Sequence, residues 1–526
     1  MKFWKRIWRS AARKTKNDPA GGSQPLSKSL AVNLARVRTI LGENSDIDIR
    51  EFSIGKRQQV AGFLVLVDGL VDKSIVNDNI LQPLLTSARL VEPDGFPPGK
   101  RVFQQVKESI LAVGHLEEVY TMDEVLDGIL SGDTAIFLDG NEAAFIAGTR
   151  GWESRGVQES VVEMAVRGPR EGFTETLRTN TSLLRRKIKN VNLRVENMLV
   201  GKQTRTTVCL LYIKGIAGNK VVEEVRRRLE HIETDAVLDS GVLVEFIEDA
   251  PFSPLPTVYL SERPDTVASK LLEGRVALLI EGSPTAMTVP TVFMEFMISS
   301  EDYYSRPIYA TITRWLRAIS LLATLFAPAL YVAAVTFHQE MIPVELLLRM
   351  AGAREGVPFP AVLEVLIMGI IFEILREAGI RMPRPIGQAV SIVGALILGE
   401  AASRAGMVSN PVIIVAAFTG ITLFAISSPE LSFSLVAFRV FFVFLAATFG
   451  LFGIVTGALF TLVYMVSLRS FGVPYLSPLA PIILSDLKDT LIRAPWWAML
   501  LRPHFTGGQN PARQRFLLRP RPPAKK

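Results

Sequence analysis

The feature that most constrains this chain is a set of long stretches without ionisable side chains in its C-terminal third. The first is Ala318–Phe337, between Arg317 and His338, and two more follow at Ala405–Pro429 and Val440–Leu468. About twenty apolar residues in an α-helix span 30 Å, the thickness of the hydrocarbon core of a bilayer. A soluble protein would have to bury three such helices in one core. The pattern therefore predicts an all-α membrane domain.

Two further apolar segments carry charge or are short. Phe359–Gly379 contains Glu364 and Glu373, and Pro385–Gly399 ends where Glu400 begins the next polar stretch. We therefore expect four to six membrane segments. The basic loop at 376–384 and the basic C-terminal tail favour an even number, because Lys and Arg accumulate on the cytoplasmic side. Val440–Leu468 has a second interpretation, a bent hairpin around Gly450–Gly453.

The acidic residues of these segments are the candidate functional groups of the membrane part. Glu364 and Glu373 are nine positions apart, about 900° of helical rotation, and so lie on opposite faces of a helix. An ionised carboxylate at bilayer depth costs about 2.5–3.5 kcal/mol and normally faces water or a partner. A polar conduit and an amphipathic helix packed against other subunits are both compatible with this pattern. We predict that Glu364 or Glu373, but not both, lines a water-filled path, with Glu400 as a third candidate.

Small residues in the same region predict close helix packing. Glycine lets two helix backbones approach each other inside a membrane, especially in a Gly-x-x-x-Gly spacing. The candidate packing residues are Gly394, Gly399, Gly453 and Gly457.

The polar first 300 residues repeat a pattern of strands, turns and helices. Gly69 and Gly215, each after a strand, are 146 residues apart, and two later glycines recur at a spacing of 142. Glycine at such junctions permits the positive φ that ends helices and turns strands. Coincidence is the alternative, but matched spacings favour two related α/β subdomains. The later pairs are Gly132 with Gly274 and Gly140 with Gly282.

These patterns predict six regions. Residues 1–45 form a basic, flexible N-terminus, 46–150 the first α/β subdomain, 151–190 a basic linker with helical character, and 191–300 the second subdomain. Residues 301–470 form the helical membrane domain and 471–526 a cytoplasmic or interfacial tail. The seven basic residues within Val166–Asn190 are compatible with a phosphate or lipid-headgroup site, or with an exposed basic helix that joins the subdomains.

Several classes of function lack their sequence patterns. The chain has no Gly-rich loop ending in Gly-Lys-Ser/Thr, no Gly-x-Ser-x-Gly, and only four histidines and one cysteine, Cys209. Its net charge of +7 is spread along the chain without a nucleic-acid-binding module. We expect no enzymatic activity, no cofactor, no metal and no nucleic-acid partner. The single cysteine and the missing secretory signal favour a cytoplasmic polar region.

Long and unusual strings resemble one family from about residue 50 to 500. PIGQAVSIVGALILGEAASRAGMVSN at Pro385–Asn410 resembles the signature of the A subunits of spore germinant receptors, the GerA family. Further similar strings are RGPREGFTETLRTNTSLLRRKIK at Arg167–Lys189, SERPDTVASKLLEGRVALLIEGSP at Ser261–Pro284, EDYYSRP at Glu301–Pro307, FHQEMIP at Phe337–Pro343, FEILREAGIRMP at Phe372–Pro383 and FGVPYLSPLAP at Phe471–Pro481.

The resemblance implies a multi-pass protein of the endospore inner membrane, with its N-terminal region on the core side. Such receptors combine an A subunit, a transporter-like B subunit that binds nutrient, and a lipoprotein C subunit. The A subunit is expected to form a homo-oligomer in the lipid around a pore that releases cations. A stage V sporulation AF-like protein and a non-conducting adaptor are the alternatives.

Overall fold

The computed structural model describes residues 24–54, 60–87, 100–152, 167–381, 399–506 and 510–514. The chain divides into two compact units. The first unit comprises Met1–Asp249, Val258–Pro290 and Trp496–Lys526, and is α/β. The second comprises Ala250–Thr257 and Thr291–Pro495, and is predominantly helical.

The first unit contains two five-stranded antiparallel sheets. The strands of the first sheet are β1 (Ile47–Ile54), β2 (Val60–Val67), β3 (Leu116–Val119), β4 (Thr134–Leu138) and β5 (Ala144–Ala147). Those of the second are β6 (Leu193–Val200), β7 (Thr206–Ile213), β8 (Tyr259–Ser261), β9 (Val276–Ile280) and β10 (Ala286–Val289). The spatial orders are β1-β2-β4-β5-β3 and β6-β7-β9-β10-β8, so the two sheets have the same topology.

Helices pack on these sheets. They are α1 (Leu30–Leu41), α2 (Lys100–Gln105), α3 (Met122–Leu130), α4 (Leu177–Lys187), α5 (Asn219–Glu230), α6 (Ser240–Ile247) and α7 (Pro264–Leu272). Shorter helical turns occupy Ile75–Leu81, Pro83–Ser87, Val106–Ile110 and Trp496–Ala498. Helix α3 begins with a capping box, in which the Thr121 side chain accepts from the Glu124 backbone and the Glu124 carboxylate accepts from the Thr121 backbone.

The turn glycines confirm the α/β repeat that the sequence indicated. Gly69 and Gly215 have φ of 87° and 84°, respectively. The pairs Gly132 with Gly274 (93° and 97°) and Gly140 with Gly282 (81° and 87°) match as well. Because only glycine adopts positive φ without strain, these positions fix the same turns in both sheets.

The repeat also includes the helix that precedes each sheet. The Asp139 carboxylate accepts from the Leu30 backbone N–H at the start of α1, at 3.1 Å. The Glu281 carboxylate accepts from Leu177 at the start of α4, at 3.2 Å. We call residues 24–152 the first repeat and 171–290 the second.

Helices α1 and α4 each contain an asparagine that fixes the segment immediately before the helix. The Asn33 amide exchanges two hydrogen bonds with the Ser27 backbone, at 2.9 and 2.6 Å. Asn180 does the same with the Thr174 backbone, at 2.8 and 2.6 Å. Within the predicted flexible region 1–45, α1 instead buries Val37 and Leu41 in the core of the first repeat. The domain boundaries stay a prediction.

The basic residues of α4 form ion pairs inside the first unit. Arg185, which is 1% exposed, makes two hydrogen bonds of 2.7 and 2.8 Å to the buried Asp46 carboxylate. Arg178 pairs with Asp68. Arg186 and Lys187 both bind Glu171. This helix is therefore a packed element of the second repeat rather than an exposed basic linker.

The helical unit contains α8 (Glu301–Tyr304), α9 (Pro307–Thr336), α10 (Val344–Arg354), α11 (Ala361–Arg381), α12 (Asn410–Phe424) and α13 (Pro429–Ser467). Short helical turns lie at Phe293–Met297, Gln339–Met341 and Leu487–Asp489, and a small hairpin joins β11 (Arg469–Ser470) to β12 (Val473–Pro474). Among the described residues, α9 and α13 are long and apolar enough to cross a membrane, and α12 is a shorter apolar helix.

The predicted segment Ala405–Pro429 does not form one long helix. Gly406 has a φ of 67°, and Pro411 lies in the first turn of α12, which has 15 residues. A full crossing needs about 20. Four to six membrane segments therefore stay a prediction.

Helix α13 turns back on itself at Gly450. The backbone there is not helical, with φ of 61° and ψ of −141°. A Cβ at Gly457 would lie 2.5 Å from Leu445 Cδ1 and 3.1 Å from Phe442 Cε1. Residues fifteen positions apart in a straight helix would be about 22 Å apart along the axis. The two arms, before and after Gly450, are therefore packed side by side, as the hairpin interpretation expected.

The end of the chain belongs to the α/β unit. The Arg502 guanidinium donates to the Leu272 carbonyl at 2.9 Å, and Arg513 forms an ion pair with Glu273 at 3.4 Å. The helical unit is thus preceded and followed in sequence by segments of the same α/β unit.

Candidate functional site

A cavity of about 860 Å³ lies between three helices of the helical unit. Apolar side chains of α11, α12 and α13 form most of its wall, among them Val365, Phe372, Val412, Phe433 and Val440. The ionisable residues on its lining are Glu373, Arg376, Glu377, Arg381 and Arg439. A largely apolar cavity with a few charged groups is the usual form of a ligand-binding site.

Glu373 faces this cavity and joins two helices. Its carboxylate accepts from Arg439 of α13 at 2.9 Å and pairs with Arg376, one turn further along α11, at 2.6 Å. The side chain of Arg439 is 9% exposed, whereas that of Glu373 is 21% exposed. The pair connects the middle of α11 to the middle of the first arm of α13.

Glu364 lies on the same helix but in a different environment. It is completely buried, and its carboxylate accepts from the Ser409 backbone N–H at 2.7 Å and from the Arg354 guanidinium at 3.3 Å. Ser409 immediately precedes α12, so the carboxylate stands at the positive end of that helix dipole. Glu364 therefore joins α10, α11 and α12, and it is not among the residues that line the cavity.

The third candidate carboxylate lies on the surface. Glu400 is exposed and pairs with Arg404 one turn later. Such exposed pairs contribute little to stability. Whether Glu364, Glu373 or Glu400 lines an ion path stays a prediction.

The packing glycines that can be described are at helix contacts. A Cβ at Gly399 would meet Ile413 of α12 at 3.3 Å. At Gly453 it would collide with the Leu445 carbonyl in the opposite arm of α13, and Gly457 faces the same arm. Gly394 lies outside the described residues.

The charge of Glu373 is balanced by both helices at the cavity. Its carboxylate is held between two guanidinium groups, those of Arg376 on α11 and Arg439 on α13.

Sequence reasoning missed a second charged cluster at the start of α9. Arg314, 2% exposed, donates to Asp302 at 3.1 Å and to Asp489 at 2.9 Å, and Arg317 also binds Asp302. The Tyr303 hydroxyl donates to Asp489 at 2.7 Å. The cluster fixes α9 to a segment nearly 180 residues later, and only the unusual EDYYSRP string pointed to it. In the described part of the chain, no group of three or more His, Cys, Asp or Glu side chains is arranged to hold a metal ion.

A family model for the Bacillus/Clostridium GerA spore germination protein matches residues 35–505. The chain belongs to the GerA family. The match includes most of the α/β unit and the whole helical unit, so family membership applies to both.

Three curated relatives from Bacillus subtilis (strain 168) span nearly the same length. Spore germination protein KA is 44% identical over 95% of this chain and 90% of its own length. The uncharacterized membrane protein YfkQ is 40% identical over 91% of this chain and 92% of its own. Stage V sporulation protein AF is 30% identical over 91% and 94%, respectively.

One of the matching solved structures is similar to part of the chain. It is the N-terminal domain of the A subunit of the Bacillus megaterium spore germinant receptor GerK3, with 33% sequence identity and a TM-score of 0.42. The similarity covers 52% of this chain and 99% of that domain.

Proposed function

We propose that this GerA-family chain acts in spore germination as the A subunit of a germinant receptor, and that its helical unit forms part of a gated cation path. The family match over residues 35–505 and the 44% identity to spore germination protein KA support the first part. Identity to stage V sporulation protein AF is lower, at 30%, which favours a receptor subunit over an AF-like protein.

The observation that carries the second part is the Glu373–Arg439 pair at the cavity. A charged pair in apolar surroundings is stable while both partners are together, but either one alone is costly. Such a pair therefore has two discrete states, joined and separated. The joined state shields the carboxylate from cations and corresponds to a closed path. Movement of α13 away from α11 removes Arg439 from Glu373 and opens the path.

The proposed location is the membrane around the spore core, where α9 and the two arms of α13 supply three of the crossings. Segments of the α/β unit both precede and follow the helical unit. If the α/β unit stays on one side, the number of crossings is even, as the distribution of basic residues indicates. We place the α/β unit on the core side.

The proposed partners are a transporter-like B subunit, a lipoprotein C subunit, and further copies of this chain. Nutrient binding by the B subunit would supply the free energy that separates Glu373 from Arg439. In this proposal, the chain itself has no catalytic turnover.

The experiment compares spores that lack the chain with spores that carry it as wild type, Glu373→Gln or Glu400→Gln. Potassium release is measured after addition of nutrient, together with the amount of the protein in the spore membrane. We expect release to depend on the chain, to slow in Glu373→Gln, and to stay unchanged in the surface variant Glu400→Gln. Equal release from spores with and without the chain would contradict the proposed receptor role. Normal release from Glu373→Gln would contradict the cation path alone.

A further inference from the structure

The two repeats of the α/β unit meet at an interface to which each repeat contributes a different surface. The Asp68-Gly69 turn of the first repeat lies against α4 of the second. A Cβ at Gly69 would be 3.1 Å from Arg178 Cγ and 3.3 Å from Ser182 Cβ. Beside this contact, Arg185 binds Asp46. The first repeat thus contributes a turn, and the second a helix face.

Strand β6 extends the same interface. The Val195 N–H donates to the Asn44 side chain, and the Ser45 N–H donates to the Val195 carbonyl, each at 2.9 Å. Arg194 reaches the end of α1, where it donates to the Ile40 carbonyl at 3.3 Å and lies against Gly42.

Equivalent positions in the two repeats follow from matching hydrogen bonds. The Asp68 N–H donates to the Asp46 carbonyl at 2.7 Å, and the Lys214 N–H donates to the Asn192 carbonyl at 2.9 Å. The turn of the second repeat is therefore Lys214-Gly215. Helix α1 aligns with α4 at a spacing of 147 residues. The alignment follows from the carboxylates that accept from Leu30 and Leu177, and from the side chains of Asn33 and Asn180.

The turn of the second repeat is exposed in the described part of the chain. Lys214, Gly215 and Asn192 are exposed. No described atom lies within 4 Å of the position a Cβ would take at Gly215. At the equivalent Gly69, the helix of the other repeat fills this space.

The matching helix face of the first repeat is exposed there as well. Ala31, Ala35 and Arg38 of α1 are the counterparts of Arg178, Ser182 and Arg185, and all three are exposed. Ala35 is as small as Ser182, so this face accepts a glycine turn at close range. In the described part of the chain, the second repeat therefore presents an exposed turn and the first repeat an exposed helix face. They correspond to the turn and the helix face that pack together at the internal interface.

Opposite charges at the edge of the α1 face also favour its contact with the Lys214-Gly215 turn. Asp48 of β1 is the counterpart of Arg194, and Lys189 is the counterpart of Gly42, against which Arg194 lies. When two copies form the same contact as the two repeats within one chain, Asp48 of one copy faces Lys189 of the other. Both side chains are exposed in the single chain.

We propose that copies of this chain associate head to tail, with the Lys214-Gly215 turn of one copy on the Ala31–Ala35–Arg38 face of the next. This inference rests on the oligomer in the proposed function and specifies its contact. An interface between two different surfaces closes into a ring when the rotation per copy allows it. Copies in one membrane share their orientation, which suits such a ring.

Cysteine cross-linking in membranes tests the contact with the full chain. Ala35→Cys and Lys214→Cys variants with different tags are expressed together and treated with a short bis-maleimide. The native Cys209 is buried and serves as a silent background. We expect mixed Ala35–Lys214 dimers, at least about fivefold more than Ala35–Ala35 dimers. Lys202→Cys, on an exposed turn at the other end of the sheet, is the matched control and should give only background.

Charge reversal supplies the second measurement. Asp48→Lys and Lys189→Asp should each reduce the cross-linked fraction severalfold, and the two together should restore it. Amine cross-linking of the wild type reports oligomers independently of the contact. Oligomers without mixed cysteine dimers would overturn this surface while leaving the oligomer intact. Absence of oligomers would instead overturn the oligomer of the proposed function, and with it this contact.

Discussion

The Glu373 carboxylate of α11 accepts a 2.9 Å hydrogen bond from Arg439 of α13, a residue 66 positions later. Apolar side chains of three helices surround the pair on the wall of one cavity. Glu364, nine positions earlier on α11, is instead completely buried against Arg354 and Ser409. One helix thus carries one carboxylate on the cavity wall and another that is fixed in a buried contact.

The fixed contact predicts a stability effect. Glu364→Ala removes the acceptor of the Ser409 N–H and leaves Arg354 without its carboxylate. Breaking such a buried pair costs about 3–5 kcal/mol. We expect a clear fall in the thermal midpoint of the purified protein and less protein in membranes. Glu400→Ala, at an exposed pair, is the control, and an equal fall in both variants would contradict the role of Glu364.

The two repeats provide a matched pair of arginines. Arg185→Gln leaves the buried Asp46 without its bidentate partner, and we expect a loss of about 3–5 kcal/mol in the free energy of unfolding. Arg38, its counterpart in α1, forms an exposed pair with Glu51 at 3.0 Å, so Arg38→Gln should cost less than about 1 kcal/mol. Denaturant unfolding of both variants measures the difference. Similar losses would show that the Arg185–Asp46 pair does not stabilise the contact between the repeats.

The hairpin of α13 predicts a strong effect of a single methyl group. Gly453→Ala places a Cβ against the Leu445 carbonyl, so the two arms cannot pack as they do. We expect a large loss of folded protein. Gly352→Ala in α10 is the control, because no described atom lies within 4 Å there and alanine is the better helix former by about 1 kcal/mol. Size-exclusion chromatography and thermal unfolding in detergent distinguish the variants, and equal behaviour would contradict the hairpin.

Tyr212 predicts a dependence of stability on alkaline pH. Partial burial, and a 2.7 Å hydrogen bond to Glu196, raise the pKa of Tyr212 from 10 to about 12. The unfolded chain loses this proton first, so the contribution is complete below pH 10 and is lost as the pH rises toward 12. The difference in denaturant midpoint between wild type and Tyr212→Phe should therefore shrink between pH 9.5 and 12. A difference that does not change with pH would contradict this assignment.

Local features of the fold were predictable from the sequence, and contacts between distant residues were not. The turns at Gly69 and Gly215 depend on neighbouring residues, so their spacing revealed the repeat. Helix α1 was missed because its basic sequence follows a basic terminus and its core contacts come from strands far along the chain. The Asp46–Arg185 pair joins residues 139 positions apart, and no local pattern indicates such a contact.

The candidate site was predictable to the same extent. Helical phase alone placed Glu364 and Glu373 on opposite faces. Which of them faces a cavity depends on α12 and α13, whose positions the sequence does not specify. Arg439 immediately precedes the predicted apolar stretch Val440–Leu468, and no local pattern indicates its pairing because its partner lies on another helix.

The most direct test of the gated path is the rate of potassium release from spores that carry Arg439→Gln, compared with Glu373→Gln. The account predicts opposite effects. Arg439→Gln separates α13 from Glu373 and should speed release, including release without nutrient, by about tenfold, or 1.4 kcal/mol. Glu373→Gln removes the carboxylate and should slow release. Rates are divided by the amount of protein in the membrane, with Glu400→Gln as the unchanged control. Rates that change in the same direction in both variants, or in neither, would contradict the account.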